Sequence, residues 1–195
     1  MSSHMKLSWS QRLFVYINKG VGSRPRLDRV MRFCAHDLLY ILAFLVMLWA
    51  TTILFQRSPV IFNGFIKLLM TAGMFGFVTS WTIAFIHPHV RPIRELPHVH
   101  QLLSPFGTWK SFPSDHTIAA FTLAEMTWFM GIPLWFGLIL FVCALCVSIG
   151  RVYVGVHYPR DIVGGIIIAT LFSTTAGWFL THVTQPLYDV FTRLF

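Results

Sequence analysis

An all-α integral membrane protein, a bundle of about five to six transmembrane helices with an N-terminal interfacial helix, is the architecture this chain predicts. Of its 195 residues 55% are hydrophobic and only 11% are charged, whereas about a quarter of the residues of a soluble domain carry charge. Apolar runs cover 38–55, 64–86, 118–131 with its helix reaching back to Ser114, 132–149 and 162–183. Each is close to the roughly 20 helical residues that a hydrocarbon core requires. A long basic segment precedes the first run, which is unlike a cleaved signal peptide. These runs leave no room for a separate soluble domain. We therefore expect one membrane-embedded domain over 6–195, with Met1-Ser2-Ser3-His4-Met5 set aside as the remnant of an expression vector.

In chain order, 7–18 sets Trp9, Leu13, Phe14, Tyr16 and Ile17 against Gln11, Arg12 and Lys19. That pattern predicts an amphipathic helix too short to span, lying in the interface. Gly20 to Arg26 breaks it, and 27–36 reads as the polar lead-in of the first span, a basic anchor on lipid headgroups. Gln56-Arg57-Ser58-Pro59 and Gly131-Ile132-Pro133 are short turns without chemistry. The net charge of +8 sits in the N-terminal segment and the connectors, with no aromatic-interleaved groove sequence. Membrane lipids, and no nucleic acid, are the expected partners. Cys143 and Cys146 fall at helical spacing inside an apolar run, where cysteine packs as a small core residue, and three cysteines make no disulfide framework.

Two connectors break the apolar pattern. The stretch 87–112 is long, carries Arg91, Arg94, Lys110 and four histidines, and runs into Pro113-Ser114-Asp115-His116. Long loops in compact chains are usually functional. Ser114 and Asp115 suit a helix N-cap and nothing more, yet a helix start also offers free amides to an anion. The second connector, 150–161, holds Arg151, His157 and Asp161, with Pro159 suited to a first helical turn. Asp161, four residues after His157, can fix the imidazole tautomer and free the other ring nitrogen, although capping of the next helix explains it equally well. Two crossings separate the connectors, so both emerge on one face. Two helix starts and several arginines would then converge on one anion. Arginines and helix-start amides neutralise equatorial oxygens, His157 would attack phosphorus, and His116 would protonate the leaving oxygen.

Arg91-Pro92, Pro113-Ser114-Asp115-His116 and Gly150-Arg151 with His157 and Asp161 resemble, in order and spacing, the three-part signature of the type-2 phosphatidic-acid phosphatase superfamily. Asp115 where Gly is commoner, and the approach from Ser80-Trp81-Thr82 to His87-Pro88-His89, look like bacterial undecaprenyl-diphosphate phosphatases. The resemblance spans the first to the last apolar run. It implies His157, His116 and Asp161 as catalytic residues and Arg91, Ser114, Asp115 and Arg151 as phosphate-binding ones. It also implies a polyprenyl diphosphate or other lipid phosphate substrate, and no metal or other cofactor. Phosphatidylglycerol phosphate, phosphatidic acid and lipid A are the alternative substrates. Two positions depart from the pattern. Ala84 stands where the first part usually has Lys, leaving that contact to Arg94 or Lys110, and Gly150 stands where the third usually has Ser.

Two rivals belong to other classes. A membrane serine hydrolase would use Ser114, but no Gly-x-Ser-x-Gly elbow surrounds it. A metal-binding or transport protein would use His87-x-His89 and His98-x-His100, without a completing Cys or carboxylate cluster. Glu125 and Lys67 lie within apolar runs, where ionisable residues invite a functional reading. The expected location is the bacterial inner membrane, and here two arguments conflict. Arg24, Arg26, Arg29 and Arg32 favour a cytoplasmic catalytic face, whereas the resemblance implies the outer, periplasmic one.

Overall fold

The computed structural model describes residues 7–104 and 107–194, so the opening Met1-Ser2-Ser3-His4-Met5 lies outside the described residues. Every regular element among them is helical. Helix α1 (Trp9–Asn18) opens on a reciprocal cap in which the Ser8 amide donates to Gln11 Oε1 at 2.8 Å and the Gln11 amide to Ser8 Oγ at 3.3 Å. Helix α2 (Pro25–Ala35) and helix α3 (Asp37–Trp49) follow, the latter continuing through a π-helical segment, Ala50–Phe55. Next come α4 (Pro59–Ile86), the short α5 (Pro92–Glu95), α6 (Asp115–Trp128) and α7 (Leu134–Tyr153). Helix α8 (Pro159–Phe179) runs through π-helical Leu180–Thr184 into α9 (Gln185–Leu194). Proline opens α2, α4, α5 and α8, where its missing N–H costs nothing and its fixed φ suits the helix.

Of the five expected spans, four are long and apolar enough to cross a membrane: Asp37–Arg57, Pro59–Ile86, Leu134–Tyr153 and Pro159–Arg193. The fifth is different. Helix α6 has 14 residues, about 21 Å at 1.5 Å per residue, and it packs against α3, α4, α7 and α8. Surrounded by protein, it does not have to match the bilayer, and its Thr117, Thr122, Glu125 and Thr127 are all buried. Glu125 faces the bundle interior, its Oε1 accepting from Thr170 Oγ1 at 2.6 Å. Lys67 lies outside, its ammonium donating to Gln185 Oε1 at 2.8 Å. Close approach of α6 and α8 depends on Gly165, where a Cβ would stand 2.9 Å from Thr117 Cβ and 3.0 Å from the Ser114 carbonyl oxygen.

The segment 27–36 is not a lead-in continuous with the first span. The chain leaves the helical region at His36 (φ −124°, ψ −65°), so α2 is a helix of its own laid against α7. Its last turn is fixed by main-chain contact, because a Cβ on Gly150 would lie only 2.8 Å from the Ala35 nitrogen. The Gly at the third motif thus leaves room for α2. Helix α1 is also more than an interfacial float. Ser10, Phe14 and Asn18, spaced four apart, are buried against the protein. The Asn18 side chain donates to the His100 carbonyl at 2.7 Å and accepts from its amide at 2.8 Å, Gln11 donates to Glu95 at 2.8 Å, and Ser10 Oγ accepts from the Arg160 amide at 3.0 Å. Trp9, Leu13 and Tyr16 remain exposed on its other face.

Candidate active site

The starts of α6 and α8 and the ends of α4 and α7 meet at one end of the bundle, under α1 and α2. There a cavity of about 310 Å³ is lined by Trp81, Arg91, Gly107, Trp109, Lys110, Asp115, His116, Arg151 and His157. The 87–112 connector forms one wall by bonding to itself, Arg91 amide to Thr108 carbonyl at 3.0 Å and Ser111 amide to His89 carbonyl at 2.7 Å. Five of the seven residues expected to act together therefore line the cavity, brought there by different parts of the chain: Arg91, Asp115, His116, Arg151 and His157. Asp161 stands behind His157, fully buried.

The histidine's tautomer is set differently from the sequence expectation. His157 Nδ1 lies 2.8 Å from the Ser111 carbonyl oxygen, against 3.4 Å from Asp161 Oδ2. A carbonyl only accepts, so Nδ1 carries the proton and Nε2 keeps its lone pair. Asp161 is the second layer of this support. Its Oδ2 accepts from Ser111 Oγ at 2.6 Å and from the Tyr158 amide at 2.8 Å, holding the chain segment that presents the carbonyl while adding negative charge beside the ring. Burial holds His157 down to about 4; Asp161 opposes that shift and the neighbouring arginines reinforce it. The imidazole is therefore neutral at ordinary pH, as a nucleophile must be. His116 makes no side-chain hydrogen bond among the described residues, which leaves its ring free to exchange a proton with a guest.

Cations surround the same space. Arg91 Nη1 donates to the Val156 carbonyl at 2.9 Å and approaches His157 Nε2 at 3.3 Å. Arg151 Nη1 donates to the Ala35 carbonyl at 3.1 Å. The buried Nε atoms of both arginines have no hydrogen-bond partner among the described residues, so each guanidinium is anchored at one edge and has donors to spare. Lys110 adds a third cation. Its ammonium reaches Asp115 Oδ1 at 2.7 Å, Ser80 Oγ at 3.0 Å and the Pro113 carbonyl at 3.2 Å, and burial lowers its pKa against the pull of Asp115. Of the two side chains expected to stand in for the absent motif lysine, Arg94 and Lys110, Lys110 is the one that reaches the cavity. Arg94 is exposed, and His98 and His100 line a separate hollow with Phe14 and Asn18.

Three other expectations meet a more particular geometry. Ser114 is fully buried and serves as the α6 cap, its Oγ accepting from the Thr117 amide at 3.5 Å while its own amide donates to the Asp161 carbonyl at 3.1 Å. Its side chain is outside the cavity lining and is engaged as a cap rather than exposed. The Asp115 carboxylate, repelled by any phosphate, is occupied by Lys110 and by Ser80 Oγ at 2.5 Å, so only its main chain can serve an anion. The two helix starts are also unequal. Around the start of α8, the Tyr158 amide goes to Asp161, the Arg160 amide to Ser10 and the Asp161 amide to the Tyr158 carbonyl, and Pro159 has none. At the start of α6 the amides of Asp115 and His116 have no acceptor among the described residues, so that start alone offers donors to an anion. Among the described residues no group of three or more His, Cys, Asp or Glu is placed to hold a metal ion; His87 is exposed and His89 half-buried.

Residues 38–185 match the family described as PAP2 superfamily. A protein of Escherichia coli (strain K12) named "Putative undecaprenyl-diphosphatase YbjG" is 35% identical over 91% of this chain and 85% of its own length. "Undecaprenyl-diphosphatase BcrC" of Bacillus subtilis (strain 168) is 25% identical over 87% of this chain and 82% of its own. Among solved structures, that of LpxE from Aquifex aeolicus superposes with a TM-score of 0.71 at 27% identity, covering 90% of this chain and 98% of that one.

Proposed function

This chain belongs to the PAP2 superfamily, and from that membership we propose that it is a metal-independent lipid phosphatase that cleaves undecaprenyl diphosphate to undecaprenyl phosphate and inorganic phosphate. The observation that carries the proposal is the cavity itself, which combines two histidines, one with its tautomer held through Nδ1, and three buried cations at one end of a membrane bundle. The names of the relatives support the substrate. Burial and the neighbouring arginines hold His116 down to about 3, so in this reading it takes up a proton as the negative diphosphate enters. Nε2 of His157 then attacks the terminal phosphorus, and the P–O bond to the lipid monophosphate breaks as His116 gives that proton to the leaving oxygen. Water then attacks the phosphohistidine, His116 takes the proton of that water, and inorganic phosphate leaves with His157 restored. Arg91, Arg151 and the free α6 amides hold the equatorial oxygens. Asp161 stabilises the cationic ring of the intermediate.

Substrate and metal dependence are tested together. Purified protein should hydrolyse undecaprenyl diphosphate at least tenfold more efficiently than phosphatidylglycerol phosphate or phosphatidic acid in the same detergent, and turnover should persist in excess chelator. A tenfold preference for phosphatidylglycerol phosphate would reassign the substrate. Loss of activity in chelator, restored by magnesium, would overturn the mechanism.

The protein resides in a membrane, and we place it in the bacterial inner membrane with the cavity on the periplasmic face, where the spent lipid carrier is released. The exposed arginines of α2 lie at this same end, against the usual bias of cytoplasmic loops. In a chain lacking Cys34, Cys143 and Cys146, a cysteine introduced by Ser104→Cys on the exposed connector should react in intact cells with an impermeant thiol reagent. Reaction only after lysis would put the cavity in the cytoplasm.

A further inference from the structure

Beside the cavity stands a group of rings that the phosphoryl chemistry leaves unused. Trp81 and Trp109 both line the cavity, yet they are 39% and 36% exposed, so each has one side on the phosphate site and one on the surroundings. Their rings meet edge-on at 5.9 Å, and Phe85, one turn along α4 and 70% exposed, closes the group at 5.9 Å from Trp81 and 5.5 Å from Trp109. The inner side of Trp81 faces the Lys110 ammonium, 5.4 Å from the ring centre. An interfacial aromatic belt would account for one such ring. It does not account for two of them forming a cavity wall. Down the same face of α4, at three and seven residues from Trp81, Val78 and Met74 are also exposed, and Met74 opens onto an apolar groove of about 400 Å³ between α4 and the Leu180–Thr184 segment with the start of α9. An apolar track therefore leaves the phosphate cavity and descends a bundle surface that would face lipid.

We infer that this aromatic edge is a tail subsite, across which the first isoprene units of a polyprenyl diphosphate leave the cavity before turning down α4 into the bilayer. The inference rests on the phosphatase reading above and adds the residues that select the chain. The occupant is the substrate's own tail, because the edge and the phosphate site share two residues. A methyl-branched chain with one flat alkene per unit presents faces that lie well on indole and phenyl rings, while its diphosphate stays among the cations.

The test compares two soluble substrates of one headgroup, farnesyl diphosphate with three isoprene units and dimethylallyl diphosphate with one. The wild-type protein should prefer the longer by kcat/KM. Trp81→Ala and Trp109→Ala should each lower that preference tenfold or more, Phe85→Ala several-fold, and Trp81→Phe should hold it within threefold of wild type. Phe85 is a surface residue, so its variant keeps the test available if a Trp→Ala chain fails to fold. A preference that stays within twofold of wild type in the alanine variants overturns the tail subsite, as does a wild-type protein with no preference. If the wild-type protein hydrolyses neither substrate nor undecaprenyl diphosphate, the phosphatase reading itself falls and takes the subsite with it.

Discussion

Replacing His157 by Ala is expected to cut turnover by about 10⁴-fold or more, in line with the loss of a nucleophile elsewhere, and to abolish the covalent intermediate. Rapid quench in alkaline denaturant with lipid diphosphate labelled in its terminal phosphate should trap a base-stable, acid-labile adduct on the wild-type chain and none on His157→Ala. The same adduct should still form, more slowly, on His116→Ala when the leaving group needs no proton, as with an aryl phosphate. An adduct that survives His157→Ala would move the nucleophile elsewhere. The pH dependence of adduct formation gives a second reading. Burial holds the His157 ring down to about 4, so the neutral, attacking form prevails above that value. With the aryl phosphate, adduct formation should stay high as pH falls through 6.5 and fail only as it approaches 4, where the ring takes up a proton. Failure centred near 6.5 would mean that the histidine is better solvated than its burial implies.

Asp161→Asn is expected to cost about 10³- to 10⁴-fold in kcat with little change in KM, comparable to loss of the orienting carboxylate in other histidine-dependent sites. Asp161 Oδ2 accepts from Ser111 Oγ and the Tyr158 amide, and the amide variant keeps one oxygen for those donors but loses the charge. The ring becomes cationic as phosphorus is attacked, in a site already crowded by Arg91, Arg151 and Lys110. Removing the one carboxylate behind it leaves that charge uncompensated. Ser111→Ala is the informative contrast. It deletes only the hydroxyl, leaves the carbonyl that holds Nδ1, and should cost about tenfold, near the worth of one buried hydrogen bond. A loss below tenfold in Asp161→Asn would reduce Asp161 to a helix cap.

The parts of the site that could be read from sequence are those that depend on side-chain type and spacing. Arg91, His116, Arg151, His157 and Asp161 declared themselves because charged and imidazole groups are rare beside apolar runs and demand a reason. What escaped was main-chain chemistry. No residue letter says that the Ser111 carbonyl holds His157, that every amide near the start of α8 is already bonded, or that the end of α2 rests on Gly150. Ser114 illustrates the limit from the other side, since cap and ligand use the same letter and only burial separates them. The helix count was legible as hydrophobic length, and α6 fell outside that rule because its neighbours replace lipid as its solvent. Lys110 was visible only as one candidate among several cations, because the 87–112 connector folds by pairing its own ends and sequence distance does not reveal which of its cations turns inward.

The contact between Ala35 and Gly150 bears on how such proteins can be cut and recombined. The family match begins at residue 38, yet the carbonyl that steadies Arg151 belongs to Ala35, and Asn18, Gln11 and Ser10 brace His100, Glu95 and Arg160 across the active end. A chimera joined at the family boundary would pair one protein's guanidinium with another's helix end. At the junction a serine in place of Gly150 would bring its Cβ to 2.8 Å from the Ala35 nitrogen. Grafts between relatives should therefore carry the first 36 residues together with the third motif, as one exchangeable piece.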